Sequence, residues 1–229
     1  MVATTRRPDS WRAMFSAARF LVAGALSALF FVLAADAHAG GGSYVFEGGT
    51  QAQRAQVRAA LEASEFDWGL VPATVTIHIA RGVDSHARPG RIWLDADLLD
   101  SGRFAWAVVQ DEYAHQVDFF LLDAEKRARL TRELGARAWC YEVPGLRHSE
   151  YGCERFASTL VWAYWQSPEN AYRPRAAGDE SAAMAPDRFR RLLAELVGMP
   201  EAPRVQRSLS AAAPAKARPG ARKPLRASR

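Results

Sequence analysis

The sequence predicts an α+β domain over about residues 43–199, with a small sheet placed ahead of two core helices. Three stretches carry that expectation. Residues 74–79 alternate polar and apolar, with Val75, Ile77 and Ile79 on one side, the pattern of a half-buried strand. Residues 104–122, FAWAVVQDEYAHQVDFFLL, are apolar almost all the way round at helical spacing, which marks a buried helix. A second mostly apolar helical run follows from about Tyr151 to Trp165.

The remaining elements follow in chain order. Residues 43–47 suit a short strand. Thr50 and Gln53 form a capping-box pattern that opens a helix running to about Ala63. Residues 81–90 hold Gly82, Pro89 and Gly90 and read as a loop, and residues 91–94 as a further strand. Ser101 is placed to cap the long central helix. Asp123 is placed to cap an amphipathic helix over 124–134 that Gly135 ends. Residues 139–153 form a loop bracketed by Cys140 and Cys153, and 167–183 is irregular. Pro186 suits the first position of a last helix, which stops at Gly198.

The ends differ from this body. Residues 1–39 read as a signal peptide: Arg6, Arg7, Arg12 and Arg19 precede an apolar stretch from Phe20 to Ala35, and Ala37-His38-Ala39 supplies a small-x-small cleavage pattern. The competing reading, an uncleaved anchor, needs a longer apolar run. Residues 202–229 carry eight Lys or Arg and no acid, with almost no apolar bulk, so they read as a basic disordered tail. Such a tail suits contact with an anionic cell envelope, or serves as a solubilising end. The whole chain has a formal charge of +5, but the first 39 residues contribute +2 and the tail +8, leaving −5 for residues 40–201. That body has no basic face for nucleic acid. Export into an oxidising compartment favours a Cys140–Cys153 disulfide over two free thiols.

The chemistry is set in the central helix. Asp111 and His115 lie one turn apart with Glu112 beside them, and such groups in a dry helix cost several kcal/mol each, roughly, unless compensated. A metal ion or a catalytic pocket is the usual compensation. No Gly-x-Ser-x-Gly elbow and no G-x-x-x-x-G-K-[ST] phosphate loop is present.

Asp111-Glu112-Tyr113-Ala114-His115 resembles, with one letter changed, the H-E-x-x-H helix of the zincin metallopeptidases. It looks most like a gluzincin, in which a downstream helix supplies a Glu as third ligand; Glu154 is the candidate here, 39 positions after His115. Glu154-Arg155-Phe156-Ala157, with Asp118 three places after His115, is also similar to the catalytic core of the anthrax lethal factor group. Small exported proteins of high-GC bacteria carrying His-Glu-Tyr-Ala-His-Gln-x-Asp look similar too. The resemblance covers roughly residues 74–165.

It implies a zincin-like domain that binds Zn2+, or another divalent cation, through Asp111, His115 and Glu154. Glu112 is then the general base that takes a proton from the attacking water, and the substrate is a peptide or protein. Asp118 is placed to orient His115, or is a plain helix carboxylate. Tyr151, just ahead of Glu154, is assigned by position to the oxyanion. The departure is Asp111: two carboxylates and one imidazole neutralise the ion more than His2Glu does and suit harder cations. The expected activity is peptide hydrolysis weakened by Asp111. The alternative is an inactive descendant that binds a peptide or wall component.

Of the other histidines, His78 falls on the polar face of a strand, and His86 and His148 fall in loops, either being a source of the missing imidazole. Trp162, Tyr164 and Trp165 read as core or rim aromatics.

Overall fold

The computed structural model describes residues 42–199; the expected signal peptide and basic tail lie outside the described residues. Within them the fold is α+β. Four strands, β1 (Tyr44–Gly48), β2 (Val75–Ala80), β3 (His86–Arg88) and β4 (Arg91–Asp95), form one sheet in the order β1-β2-β4-β3. β2 runs parallel to both β1 and β4, and β3 closes the edge antiparallel to β4. The described residues also form six α-helices: α1 (Gln51–Glu62), α2 (Ala96–Asp100), α3 (Phe104–Leu121), α4 (Ala124–Glu133), α5 (Gly152–Tyr164) and α6 (Pro186–Val197).

Register follows from the alternation of β2. Ile77 pairs with Phe46 on one side and Ile92 on the other, and Ile79 with Leu94, so one face of the sheet is a continuous apolar layer. Fully burying each such side chain contributes about 1.5–3 kcal/mol. A one-residue slip would turn that layer outward. The opposite face carries the row Glu47, His78, Trp93 and His86, in which both imidazoles stack on the indole at 4.9 and 4.6 Å. His78 also pairs with Glu47 through Nδ1 at 2.9 Å, so His78 and His86 belong to the sheet surface.

α3 is packed on all sides by α1, α5, β3 and β4, and every residue from Val109 to Asp118 is buried. An apolar surface without a polar face has no other stable place. α5 lies against α3 and α6, so the two longest helices make the centre of the core.

The caps match the sequence reading in most places. Thr50 and Gln53 form the capping box of α1, Asp123 accepts from the Lys126 N–H to open α4, and Pro186 opens α6. Gly135 and Gly198 end α4 and α6 at φ 65° and 71°, a backbone conformation that residues with a Cβ rarely adopt.

Two local readings need correction. The segment 81–90 is not all loop, because His86–Arg88 pairs with β4 as a hairpin arm across Pro89-Gly90. Ser101 does not cap the central helix. It ends the short helix α2, which Asp95 opens by accepting from Asp97 N–H, and α3 begins after Arg103 with no side-chain cap. Tyr164 and Trp165 are core residues, as their helical spacing suggests, and Trp162 is half-buried.

Candidate metal centre

A helix buried on every side must find a partner for each polar side chain it carries. Four directions of α3 meet that demand differently. Gln110 donates to the Ala60 carbonyl of α1 at 2.7 Å. Gln116 accepts from Gly90 N–H at 2.8 Å and donates to the Arg88 and Arg91 carbonyls, tying the helix to the turn between β3 and β4. Asp118, 1% exposed, accepts from Arg127 Nε at 2.8 Å and from Trp139 Nε1 at 3.2 Å. The fourth direction carries Asp111, Glu112 and His115, and these face α5 and the segments around it.

There Asp111, His115 and Glu154 converge, each offering one ligand atom, with all three atoms within 4.8 Å of one another. His115 Nε2 lies 3.4 Å from Glu154 Oε2 and 4.0 Å from Asp111 Oδ2. Glu154 sits in the first turn of α5. Its other oxygen accepts from Tyr141 Oη at 3.0 Å, and Oε2 is also 3.2 Å from His148 Nε2. His148 Nδ1 reaches Glu180 Oε1 at 2.9 Å. Ser158, one turn along α5 from Glu154, places Oγ 3.3 Å from both Asp111 Oδ1 and Glu180 Oε2. The cluster therefore draws on α3, α5, the turn at His148–Glu150 and the turn at Glu180–Ala182.

Cys140 and Cys153 are joined in a disulfide, as the export reading expects. Their sulfurs lie near Glu154 but are spent on each other. The bond fastens the 140–153 segment to the start of α5. Two further ties hold it: Gly152 N–H donates to the Ala138 carbonyl, and Trp139 reaches Asp118. Gly152 is required here because a Cβ would stand 2.6 Å from the Trp139 ring.

The electrostatics follow from burial. Desolvation raises the Asp111 carboxyl to about 7, with the charges of Glu154 and Glu180 adding to it and His115 opposing. Desolvation raises Glu112 to about 8, reinforced by Asp111. For His115 burial acts downward, but the bond to Glu154 and the surrounding carboxylates prevail and lift it to about 9. His148 is raised to about 10 by its bonds to Glu154 and Glu180. Glu154 is desolvated too, yet the two imidazoles hold it well below the ordinary carboxylate range. Without a cation, then, four carboxylates are held together by protons and imidazolium charge.

The chemistry of this donor set fits a divalent cation: buried carboxylates and an imidazole, closely spaced, with like charges that need a positive centre. Next to it opens a cavity of about 600 Å3 whose lining includes Ser158 and Glu180 from the cluster, with Tyr172, Arg173 and Arg175 beyond.

Two positional assignments change. Asp118 does not orient His115, nor does it reach solvent, since Arg127 and Trp139 take its oxygens. Tyr151 donates to the Val143 carbonyl at 2.8 Å, and the phenol bonded to the cluster is Tyr141, which packs on the Tyr151 ring at 4.4 Å. Tyr141, Ser158 and Glu180 were not singled out from sequence. Tyr141 and Glu180 lie in irregular segments without periodicity, and Ser158 shows only as a small residue four places after Glu154.

Comparison with models of protein families, with curated proteins and with solved structures found no match.

Proposed function

We propose that the protein is a zincin-like metallopeptidase, exported from the cell, with Asp111, His115 and Glu154 as metal ligands and Glu112 as general base. The observation that carries this is the convergence of those three ligand atoms within 4.8 Å from two helices, with Glu112 buried beside them. A cation held there supplies polarisation of the scissile carbonyl and a more acidic water. Glu112, buried beside the ligand atoms, would take the proton of the attacking water and return it to the leaving amine. Burial and Asp111 raise its carboxyl to about 8 in the metal-free cluster, and a cation beside it would return it toward the ionised form that a base requires. Tyr141 donates its hydroxyl to Glu154 and so helps hold that carboxylate in place as a ligand.

A peptide substrate is supported by the surroundings. β3 is an edge strand lying against α3, and edge strands accept extended peptides by strand addition. The disulfide and the lack, among the described residues, of any helix long and apolar enough to cross a membrane accord with an exported domain.

The test is zinc content together with hydrolysis of a peptide library by the purified protein. Stoichiometric zinc, with cleavage that falls at least about a hundredfold in Glu112→Gln, is expected for a general base. Zinc without cleavage that Glu112→Gln changes removes the peptidase reading. A second reading, a binding protein descended from a peptidase, is favoured by one distance: Asp111 Oδ2 stands 4.0 Å from His115 Nε2, a short side chain at the position where the zincin helix has His. Under that reading Asp111→His creates hydrolysis that the natural protein lacks.

A further inference from the structure

α3 supplies one imidazole where the zincin helix has two, and a second imidazole lies elsewhere in the same cluster. His148 stands on the turn that precedes α5, inside the segment bracketed by the disulfide. Its Nε2 is 3.2 Å from Glu154 Oε2, and His115 Nε2 is 3.4 Å from the same oxygen. Two ligands on one tetrahedral zinc, each bonded at about 2.0–2.1 Å, stand roughly 3.3 Å apart. Both imidazole–carboxylate separations match that edge; the atoms that already stand within 4.8 Å of one another are those of Asp111, His115 and Glu154, so the exposed His148 ring would have to swing toward His115 to join them on one cation. The separation between Asp111 Oδ2 and His115 Nε2, 4.0 Å, exceeds it.

The other nitrogen of His148 points the same way. Nδ1 lies 2.9 Å from Glu180 Oε1, and an N–H donated there would fix the tautomer in which Nε2, once it gives up the proton it shares with Glu154, can ligate. Metal-bound histidines are almost always held like this. Glu180 is itself steadied, because Ser158 Oγ lies 3.3 Å from its other oxygen. His148 has a largely exposed side chain, at 59%, yet it aims at a carboxylate only 6% exposed. An imidazole serving only as a surface ion pair would contribute little from that position.

We infer that His148 is a metal ligand, the imidazole that position 111 lacks, oriented by Glu180 and binding a divalent cation together with His115 and Glu154. The inference rests on the metal-centre reading given above and alters its consequence. Two imidazoles and a carboxylate are the donor set that suits zinc, whereas one imidazole among carboxylates leans toward harder cations.

X-ray absorption fine structure of the full-length protein loaded with zinc counts imidazoles directly. Wild type is expected to show two and His148→Ala one, with zinc affinity, measured against a chromogenic chelator, weaker by more than about a hundredfold, beyond the loss typical of an orienting residue. Glu180→Gln keeps two imidazoles and loses about ten- to a hundredfold in affinity. Asp111→Ala keeps both imidazoles. His148→Gln, which retains a side chain of similar polarity, guards against a folding defect in the alanine variant. Stoichiometric zinc with a single imidazole in wild type, or unchanged affinity in His148→Ala and His148→Gln, overturns the assignment of His148 and leaves the metal centre standing. Less than stoichiometric zinc in wild type overturns both.

Discussion

Loading a divalent cation into this cluster must expel protons, and the number can be worked from the site. His115 is held at about 9 by its bond to Glu154 and by neighbouring carboxylates, against the pull of burial. An imidazole must be neutral to ligate. At pH 7 His115 therefore holds its proton, and making it neutral opposes metal uptake by a few kcal/mol, at about 1.4 kcal/mol per pH unit. Asp111, held at about 7 by desolvation, is close to half-protonated at the same pH. Glu154 is already ionised and releases nothing. Zinc uptake at pH 7 therefore frees about one proton from His115 and about half from Asp111, before any contribution from Glu112 and His148. Because the metal-free cluster holds the extra protons, acid competes with the cation. Apparent affinity should rise at least about tenfold per unit between about pH 6 and 8 and flatten only above about 10, where both His115 and His148 have lost their protons. Isothermal titration in buffers of different ionisation enthalpy measures the protons released. Zinc binding with no net proton release at pH 7, or with affinity flat from pH 6 to 8, would refute this account of the site.

Three further outcomes are expected. Asp111, Glu112 and His115 all have raised values, so the metal-free folded chain holds more protons than the unfolded one; its thermal midpoint should fall as pH rises from about 4 to about 9, while Glu154, held low, reverses the trend in stronger acid. Melting curves at constant ionic strength check this, and a midpoint that climbs steadily from pH 5 to 9 contradicts it. Arg127→Ala leaves the buried Asp118 carboxylate with only the Trp139 N–H and should destabilise the fold by about 3 kcal/mol in urea titration; a loss below about 1 kcal/mol would mean Asp118 is protonated instead. Replacing Cys140 and Cys153 by Ser should cost about 3 kcal/mol from the lost loop constraint, and reducing agent should no longer shift the variant's midpoint as it shifts the wild type's.

Much of the fold was legible because its signals are local. The alternation at Val75, Ile77 and Ile79, the capping box at Thr50 and Gln53, and the Pro186 and Gly198 bounds of α6 each act within a few residues of themselves. The strand β3 was not, since three residues beside Pro89 and Gly90 carry no alternation that separates a short edge strand from a turn. The site divided the same way. Asp111, His115 and Glu154 stand out because helices must pack apolar faces, and carboxylates and an imidazole there need a reason. Tyr141 and Glu180 enter the cluster by chain trajectory through irregular segments, which no periodicity encodes. Position in sequence pointed to Tyr151, but the backbone takes φ 54° at Tyr141, the two rings pack tilted to each other, and the hydroxyl that bonds to Glu154 is that of Tyr141.

The segment between Trp139 and Cys153 is fastened at both ends, by the indole on Asp118 and by the sulfur bridge at the foot of α5. It is thus a set clasp rather than a flap, and its ordering entropy is spent when the chain folds, not when a ligand arrives. A cation would meet groups already in position, so capture should be limited by diffusion and proton loss rather than by loop closure. The same chain with its cysteines reduced would have to order that segment at each encounter. Metal retention would then depend on the redox state of the surroundings, through a bond whose sulfurs never touch the ion.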